Sequence, residues 1–245
     1  AIVDATRIEG LDRVSEQDGY IVIGCGVTHS RIIRDPRIRA HASCLAESCG
    51  VIGGPQVRNV GTLAGNVAHA LPAGDGTIGL LALDAEAEVA SRDGTRWIPV
   101  RDSFVGPGRS VIDRHHEILT RLRFRPTGAR EGSAHHRVMR PQGLCLPIVT
   151  MAARLRLDDG GKIQAITIGM GPVGPVPWIA EPAIEVLTGS PPSQEACAAA
   201  ADAILAEVTL RTSKYRATRD YRTTMIRTWL PVIIDRAVQR AEATQ

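Results

Sequence analysis

The sequence predicts an α+β fold in two successive parts, and three observations carry that expectation. Short β-branched or alternating runs bounded by turn residues recur at 20–24, 86–91, 118–124, 147–157 and 163–170. Helix-periodic stretches lie among the strands in the first half and follow them in the second. Between the halves, Pro126-Thr127-Gly128-Ala129-Arg130-Glu131-Gly132 reads as a linker. The expected division is 1–127, a mixed or antiparallel sheet with helices, and 134–245, a three-stranded antiparallel sheet followed by a helix bundle.

Composition bounds the function. The 245 residues suffice for one large or two modest cores, and 44% hydrophobic with 22% charged residues is ordinary for a globular chain. A net charge of +3 without a Lys/Arg block argues against a nucleic-acid partner. The five cysteines, Cys25, Cys44, Cys49, Cys145 and Cys197, show no metal or cluster spacing, so no metal site is expected in this chain. Cys44 and Cys49 read as buried thiols on a helix, and the pairs His115-His116 and His135-His136 as solvated loop neighbours. No signal peptide and no apolar run of about eighteen residues is visible, which leads to the expectation of a cytoplasmic protein without membrane insertion.

In chain order, residues 1–6 read as a strand, 13–19 as a polar turn and Tyr20–Gly24 as the second arm of a hairpin. Thr28 is placed to cap a helix. Ile38, Ala42, Leu45 and Cys49 fall on one face of a helix over 35–50. Asp93-Gly94 joins strands at 86–91 and 96–100 as a hairpin. Ile118, Thr120, Leu122 and Phe124 alternate with Leu119, Arg121 and Arg123 as a half-exposed strand. In the second half, strands are expected at 135–140, 147–157 and 163–170, with Asp158-Asp159-Gly160-Gly161 as a turn. Helices are expected at 181–187, 193–208, with Ser193 as cap, and 218–241.

The chemistry concentrates in Val51–Leu83, which contains Gly53-Gly54-Pro55, Gly61-Thr62-Leu63-Ala64-Gly65-Asn66 and Pro72-Ala73-Gly74-Asp75-Gly76. Small residues with Thr, Asn and Asp among them suit backbone that approaches a ligand closely, and by spacing alone they suit a buried connection equally well. Neither a triphosphate-binding loop nor a Rossmann fingerprint is present. No Ser/His/Asp set or pair of carboxylates marks a catalytic residue in this chain.

The run with Gln56, Arg58, Asn59, Gly61, Thr62, Gly65, Asn66, Pro72 and Asp75 at fixed spacing resembles the second flavin-binding segment of the FAD-binding medium subunits of molybdenum hydroxylases, the carbon monoxide dehydrogenase and xanthine dehydrogenase family. The resemblance continues through Gly24–His29, Val105–Ile112 and Arg216–Arg222, and so spans nearly the whole chain. It implies a PCMH-like FAD-binding lobe followed by a flavoprotein C-terminal domain. It also implies that Thr62, Leu63, Ala64, Gly65, Asn66, Asp75, Val111, Ile112 and Arg137 contact FAD.

The sequence departs from the family at three of its positions. Ala64 stands where Gly is usual, Arg137 where Lys lies near the flavin, and His135 where Tyr is frequent. Arg216, Tyr221 and Arg222 read as structural. The resemblance implies a preceding lobe that wraps the FAD pyrophosphate, whereas this sequence starts at the strand after it. The chain is therefore expected to be either a fragment or a homologue lacking half of the site. Each lost hydrogen bond to a charged group would remove about 1.5–3 kcal/mol.

By the same resemblance, the chain is an electron-transfer subunit of a heterotrimeric oxidoreductase. It would take electrons from an iron–sulfur small subunit and pass them to NAD or a quinone. The molybdenum cofactor would sit in a molybdopterin-binding large subunit, and [2Fe–2S] clusters only in the small one. Two other readings stay open: a flavin-free scaffold of such a complex, and a non-catalytic small-molecule-binding module.

Overall fold

The computed structural model describes residues 5, 8–140 and 145–244. Apart from Ala5, the strand expected over residues 1–6 lies outside the described residues. The chain opens with a hairpin of β1 (Val14–Gln17) and β2 (Tyr20–Gly24), joined at Asp18-Gly19. The segment expected to be a turn is therefore itself a strand. Its polar residues suit an edge with a solvated face, where period-2 hydrophobicity fades.

Thr28 caps α1 (His29–Arg34), its hydroxyl accepting from Arg31 N–H. The single helix expected over 35–50 is two, α2 (Pro36–His41) and α3 (Ser43–Gly50), broken at Ala42, where φ is −153°. Ile38, Ala42, Leu45 and Cys49 nevertheless all point into the core, because the break reorients the chain without turning the apolar face outward. Three helices follow, α4 (Pro55–Val60), α5 (Leu63–Ala68) and α6 (Asp75–Ala82). Then come the hairpin β3 (Glu86–Ser91) and β4 (Gly94–Pro99), the small ribbon β5 (Phe104–Gly106) and β6 (Arg109–Ser110), and β7 (Ile118–Phe124).

The first sheet runs β1-β2-β7-β3-β4, with every pairing antiparallel. In β7 the simple alternation fails. Val89 faces Leu119 and Glu88 faces Arg121, so Thr120 is an extra residue in a bulge. The bulge turns Leu119 to the side of Leu122 and Phe124 and leaves Ile118 46% exposed.

The second sheet contains β8 (Glu131–Val138), β9 (Val149–Leu157), β10 (Ile163–Gly171) and a two-residue β11 (Trp178–Ile179), in the order β11-β10-β9-β8. It thus has one short strand more than the three expected. Helices α7 (Glu181–Leu187), α8 (Gln194–Glu207) and α9 (Arg219–Ala243) complete the chain, the last two capped by Ser193 and Thr218.

This sheet is covered on both faces, and side-chain alternation along β8 shows how. Gly132 abuts α9, where an added Cβ would lie 2.0 Å from Ala237 O, and the His136 ring stacks on Trp229 at 3.5 Å. On the other face Ser133 Oγ accepts from Cys44 N–H of α3, while Gly169 and Gly171 of β10 let α6 and Pro72 press against the strand backbone. The first half of the chain therefore packs on one side of the second half's sheet, and α9 on the other.

Candidate functional site

Local rules position the glycine-rich stretch. Gly53 takes φ +48°, and Arg58 Nη1 donates to the carbonyls of Ile52 and Gly53, fixing the turn into α4. Gly61 ends α4, and Thr62 caps α5 by accepting from Gly65 N–H at 3.0 Å. Beside it runs the loop after β2: His29 N–H donates to Gly61 O, and Thr28 bridges Thr62. Asn66 then ties α5 to α6, its Oδ1 accepting from both Thr77 N–H (3.1 Å) and Thr77 Oγ1 (3.2 Å).

A cleft of about 340 Å³ opens between this stretch and the end of β8, lined by Val51, Ile52, Asn66, Asp75, Arg137 and Met139 among others. Asp75 is 3% exposed. Its Oδ2 accepts from Arg137 Nη1 at 2.9 Å, and its Oδ1 is buried 3.8 Å from His135 Nε2. Burial pushes the Asp75 carboxyl up to about 6, against the opposing pull of Arg137 and of the Thr150 hydroxyl.

Arg137, with its side chain 6% exposed, also donates from Nη1 to Val51 O at 2.6 Å and from Nη2 to Cys145 O. Its Nε has no partner among the described residues. Behind the pair, His135 Nε2 sits 2.7 Å from Thr150 Oγ1 and 3.8 Å from Asp75 Oδ1. Burial drives His135 down to about 3, so it is a neutral imidazole at this carboxylate and forms no ion pair with it.

The residues expected at the site are divided. Asn66, Asp75 and Arg137 meet in the cleft, although Arg137 is far from the others in sequence. Thr62 and Gly65 stand at the open head of α5. The side chains of Leu63 and Ala64 face the first core, so the Ala64 methyl points away from solvent and leaves the outer edge clear. Val111 and Ile112 follow β6 and do not line the cleft; their N–H groups donate to Ser103 O and Ser110 Oγ.

His135, expected at an aromatic position near the ligand, is buried behind Asp75, and with His136 it belongs to β8, not to a solvated loop. Sequence reasoning missed the apolar lining of Val51, Ile52, Met139 and Leu146, and the support given to Asp75 by Thr150. Only their flanking of the glycine-rich stretch and of β8 hinted at them. Arg222, read as structural, does join α9 to the sheet, donating from Nη1 to Ile148 O.

The family model described as "FAD binding domain in molybdopterin dehydrogenase" matches residues 1–126, and "CO dehydrogenase flavoprotein C-terminal domain" matches residues 134–237. The chain is 29% identical over 242 residues to a putative xanthine dehydrogenase FAD-binding subunit of Escherichia coli, covering 98% of this chain and 82% of the relative. It is 35% identical over 205 residues to the nicotine 6-hydroxylase medium subunit of Paenarthrobacter nicotinovorans, covering 82% and 70%. A solved structure of reconstituted CO dehydrogenase from Oligotropha carboxidovorans superposes with a TM-score of 0.88 at 28% identity, over 94% of this chain and 79% of that one.

Proposed function

This chain belongs to the family of FAD-binding subunits of molybdopterin dehydrogenases, and from that premise we propose that it relays electrons from an iron–sulfur subunit to an acceptor, NAD or a quinone. It is an oxidoreductase subunit whose cofactor is FAD. Molybdenum and iron–sulfur centres belong to other subunits in its CO dehydrogenase relatives.

The residues present fit one end of the cofactor. The cleft is an apolar slot with few polar groups, the usual construction of a heteroaromatic ring site. The Asp75 carboxyl and the Arg137 guanidinium, paired at 2.9 Å, line its wall and supply the charges that would meet the imide and carbonyl edge of such a ring. Its 340 Å³ suits a ring system, so the remainder of the dinucleotide would run along the exposed head of α5 at Thr62 and Gly65. Within this reading Asn66, Asp75 and Arg137 hold the ring, Leu63 and Ala64 contribute backbone only, and Val111 and Ile112 border the site through the β5–β6 ribbon, which Gly108 N–H ties to Ala70 O.

FAD, when bound, accepts electrons singly and releases them in pairs. The chain's own contribution is electrostatic. Arg137, fixed by two backbone carbonyls, keeps a positive charge at the wall and favours extra negative charge in the cleft. Asp75, poised at about 6, accepts a hydrogen bond as carboxylate or donates one as carboxylic acid. Val51, Ile52 and Met139 line the cleft with apolar surface, so a ring bound against them would displace water and strengthen both effects.

The wider assignment is a heterotrimer with a molybdopterin-binding large subunit and an iron–sulfur small subunit, residues 1–127 forming the flavin lobe and 134–245 the C-terminal domain. A cytoplasmic location agrees with the free thiols of Cys25, Cys44, Cys49 and Cys197. Among the described residues no helix is long and apolar enough to cross a membrane.

The observation that carries the reading is the buried Asp75–Arg137 pair, Oδ2 to Nη1 at 2.9 Å, on the wall of the cleft. Its test is equilibrium FAD binding to the chain, alone and co-purified with its partner subunits, followed by flavin bleaching when substrate reduces the complex. Flavin that loads and bleaches, with loading weakened in Arg137→Met, is the expected result. A complex that assembles without flavin would establish the scaffold reading instead.

A further inference from the structure

A second cleft, larger than the first, lies beyond Leu71, Ala73 and Leu146, which it shares with the cofactor cleft as a partition. Its volume is about 530 Å³, and its wall includes Arg211, Arg216 and Arg222 together with Pro107, Val173 and Leu210. The three arginines come from the segment between α8 and α9 and from the first turn of α9. That segment is fixed in place: Ser213 N–H donates to Ala217 O at 2.9 Å and Arg219 N–H to Thr212 Oγ1 at 3.1 Å.

The charge in this cleft is one-sided. Among the described residues no carboxylate forms an ion pair with any of the three guanidinium groups. Arg222 is 2% exposed, spends Nη1 on Ile148 O, and has no partner for Nε among the described residues. Its charge is disfavoured first by burial and then by Arg211 and Arg216. Burying Arg222 beside two like charges is unfavourable unless an anion shares the cleft, because its buried unpaired Nε carries a desolvation cost. Arginine forks match the oxygens of a phosphate.

We propose that this cleft is a binding site for a small organic phosphate of about nucleotide size, with Arg211, Arg216 and Arg222 holding the phosphate. The volume argues for the organic part, since a lone inorganic anion would leave most of the space empty. The proline and aliphatic walls give a flat organic group its apolar contact. The concave shape, with Arg222 sunk in its inner wall, favours a small ligand over an acidic protein surface, which would reach only the rim. The site stands apart from the cofactor assignment and does not rest on it.

The test is calorimetric titration of the whole chain, in phosphate-free buffer at low ionic strength, with AMP, adenosine and inorganic pyrophosphate. AMP binds, adenosine does not, and pyrophosphate competes with AMP. Arg211→Gln and Arg216→Gln, both at solvent-reachable positions and checked for an unchanged melting temperature, each weaken AMP about tenfold or more. Equal binding of adenosine and AMP would overturn the proposal, as would variants that bind AMP like the parent chain. Pyrophosphate binding without AMP binding would reduce the cleft to an inorganic-anion site and refute the organic part. Silence with all three would refute the proposal outright.

Discussion

Replacing His135 with Gln should make this fold's stability less sensitive to acid than that of the parent chain. His135 is buried and pressed to about 3, while in the unfolded chain it titrates at its ordinary value of 6.5. On acidification the unfolded chain therefore takes up a proton that the folded one refuses, and stability is lost as pH falls from 6.5 toward 3. Asp75 acts in the opposite sense. Its folded value of about 6 lies above the ordinary 3.8, so the folded chain binds the proton first and stability is gained as pH falls through 6 toward 3.8.

Between about pH 6 and about pH 4, linkage gives a loss of about 2–3 kcal/mol from His135 and a gain of about 2 kcal/mol from Asp75. The two nearly cancel in the parent chain. His135→Gln removes the loss and leaves the gain, and Asp75→Asn does the converse, so the pH trends of the two variants should differ by about 4–5 kcal/mol. His29, pushed down to about 4 by burial and by Arg58, adds the same sign to all three proteins, which makes the parent chain the reference. The assay is urea unfolding at both pH values, with m-values compared. A His135→Gln variant whose trend matches that of the parent would show that His135 and Asp75 do not titrate as their burial requires, and the reasoning would be wrong.

Other outcomes follow from packing. Gly132→Ala should cost about 3 kcal/mol or more by thermal melting, because its Cβ would meet Ala237 O at 2.0 Å and Ala241 N at 2.6 Å, both backbone atoms. Gly50→Ala, with open space around its Cβ and an ordinary φ, should be neutral or slightly stabilising. Asn66→Ala strands the N–H and hydroxyl of Thr77 and should cost about 1–3 kcal/mol while lowering FAD uptake; Asn66→Asp, which keeps an acceptor, should lose less stability. Trp229→Leu removes the stack on His136, at about 0.5–1.5 kcal/mol beyond lost area, and should let the His136 titration rise toward its ordinary value in NMR.

What the sequence disclosed depended on how local the cause was. Thr28 and Ser193 announced their helices because a cap acts within one turn. Asp93-Gly94 announced its hairpin for the same reason. The bulge at Thr120 arises from pairing with Glu88 and Val89, and the break at Ala42 from the seating of α3 on β8; no nearby residue encodes either. The cleft shows the same division. Asn66 and Asp75 belong to one short stretch, while Arg137 joins them across a tertiary contact that only a resemblance suggested. Basic residues concentrate around Arg211 to Arg227 in the sequence, and Arg216 and Arg222 read there as structural, because nothing in their spacing reveals the absence of counter-charges, which is a property of the folded surroundings.

The alternation of β8 has a consequence for how this protein can vary through insertion and deletion. Odd-numbered residues 133, 135 and 137 serve the flavin-lobe side, and even-numbered 132, 134 and 136 serve α9. Losing or gaining one residue in β8 would exchange the two sets, sending His135 and Arg137 toward Trp229 and their even-numbered neighbours toward Asp75. The length of the strand is therefore as constrained as the residues that its two faces carry. The break between 127 and 134 that looks like a joint in the sequence is thus a poor place to exchange modules between relatives, because a register error there would undo the cleft and the helical cover together.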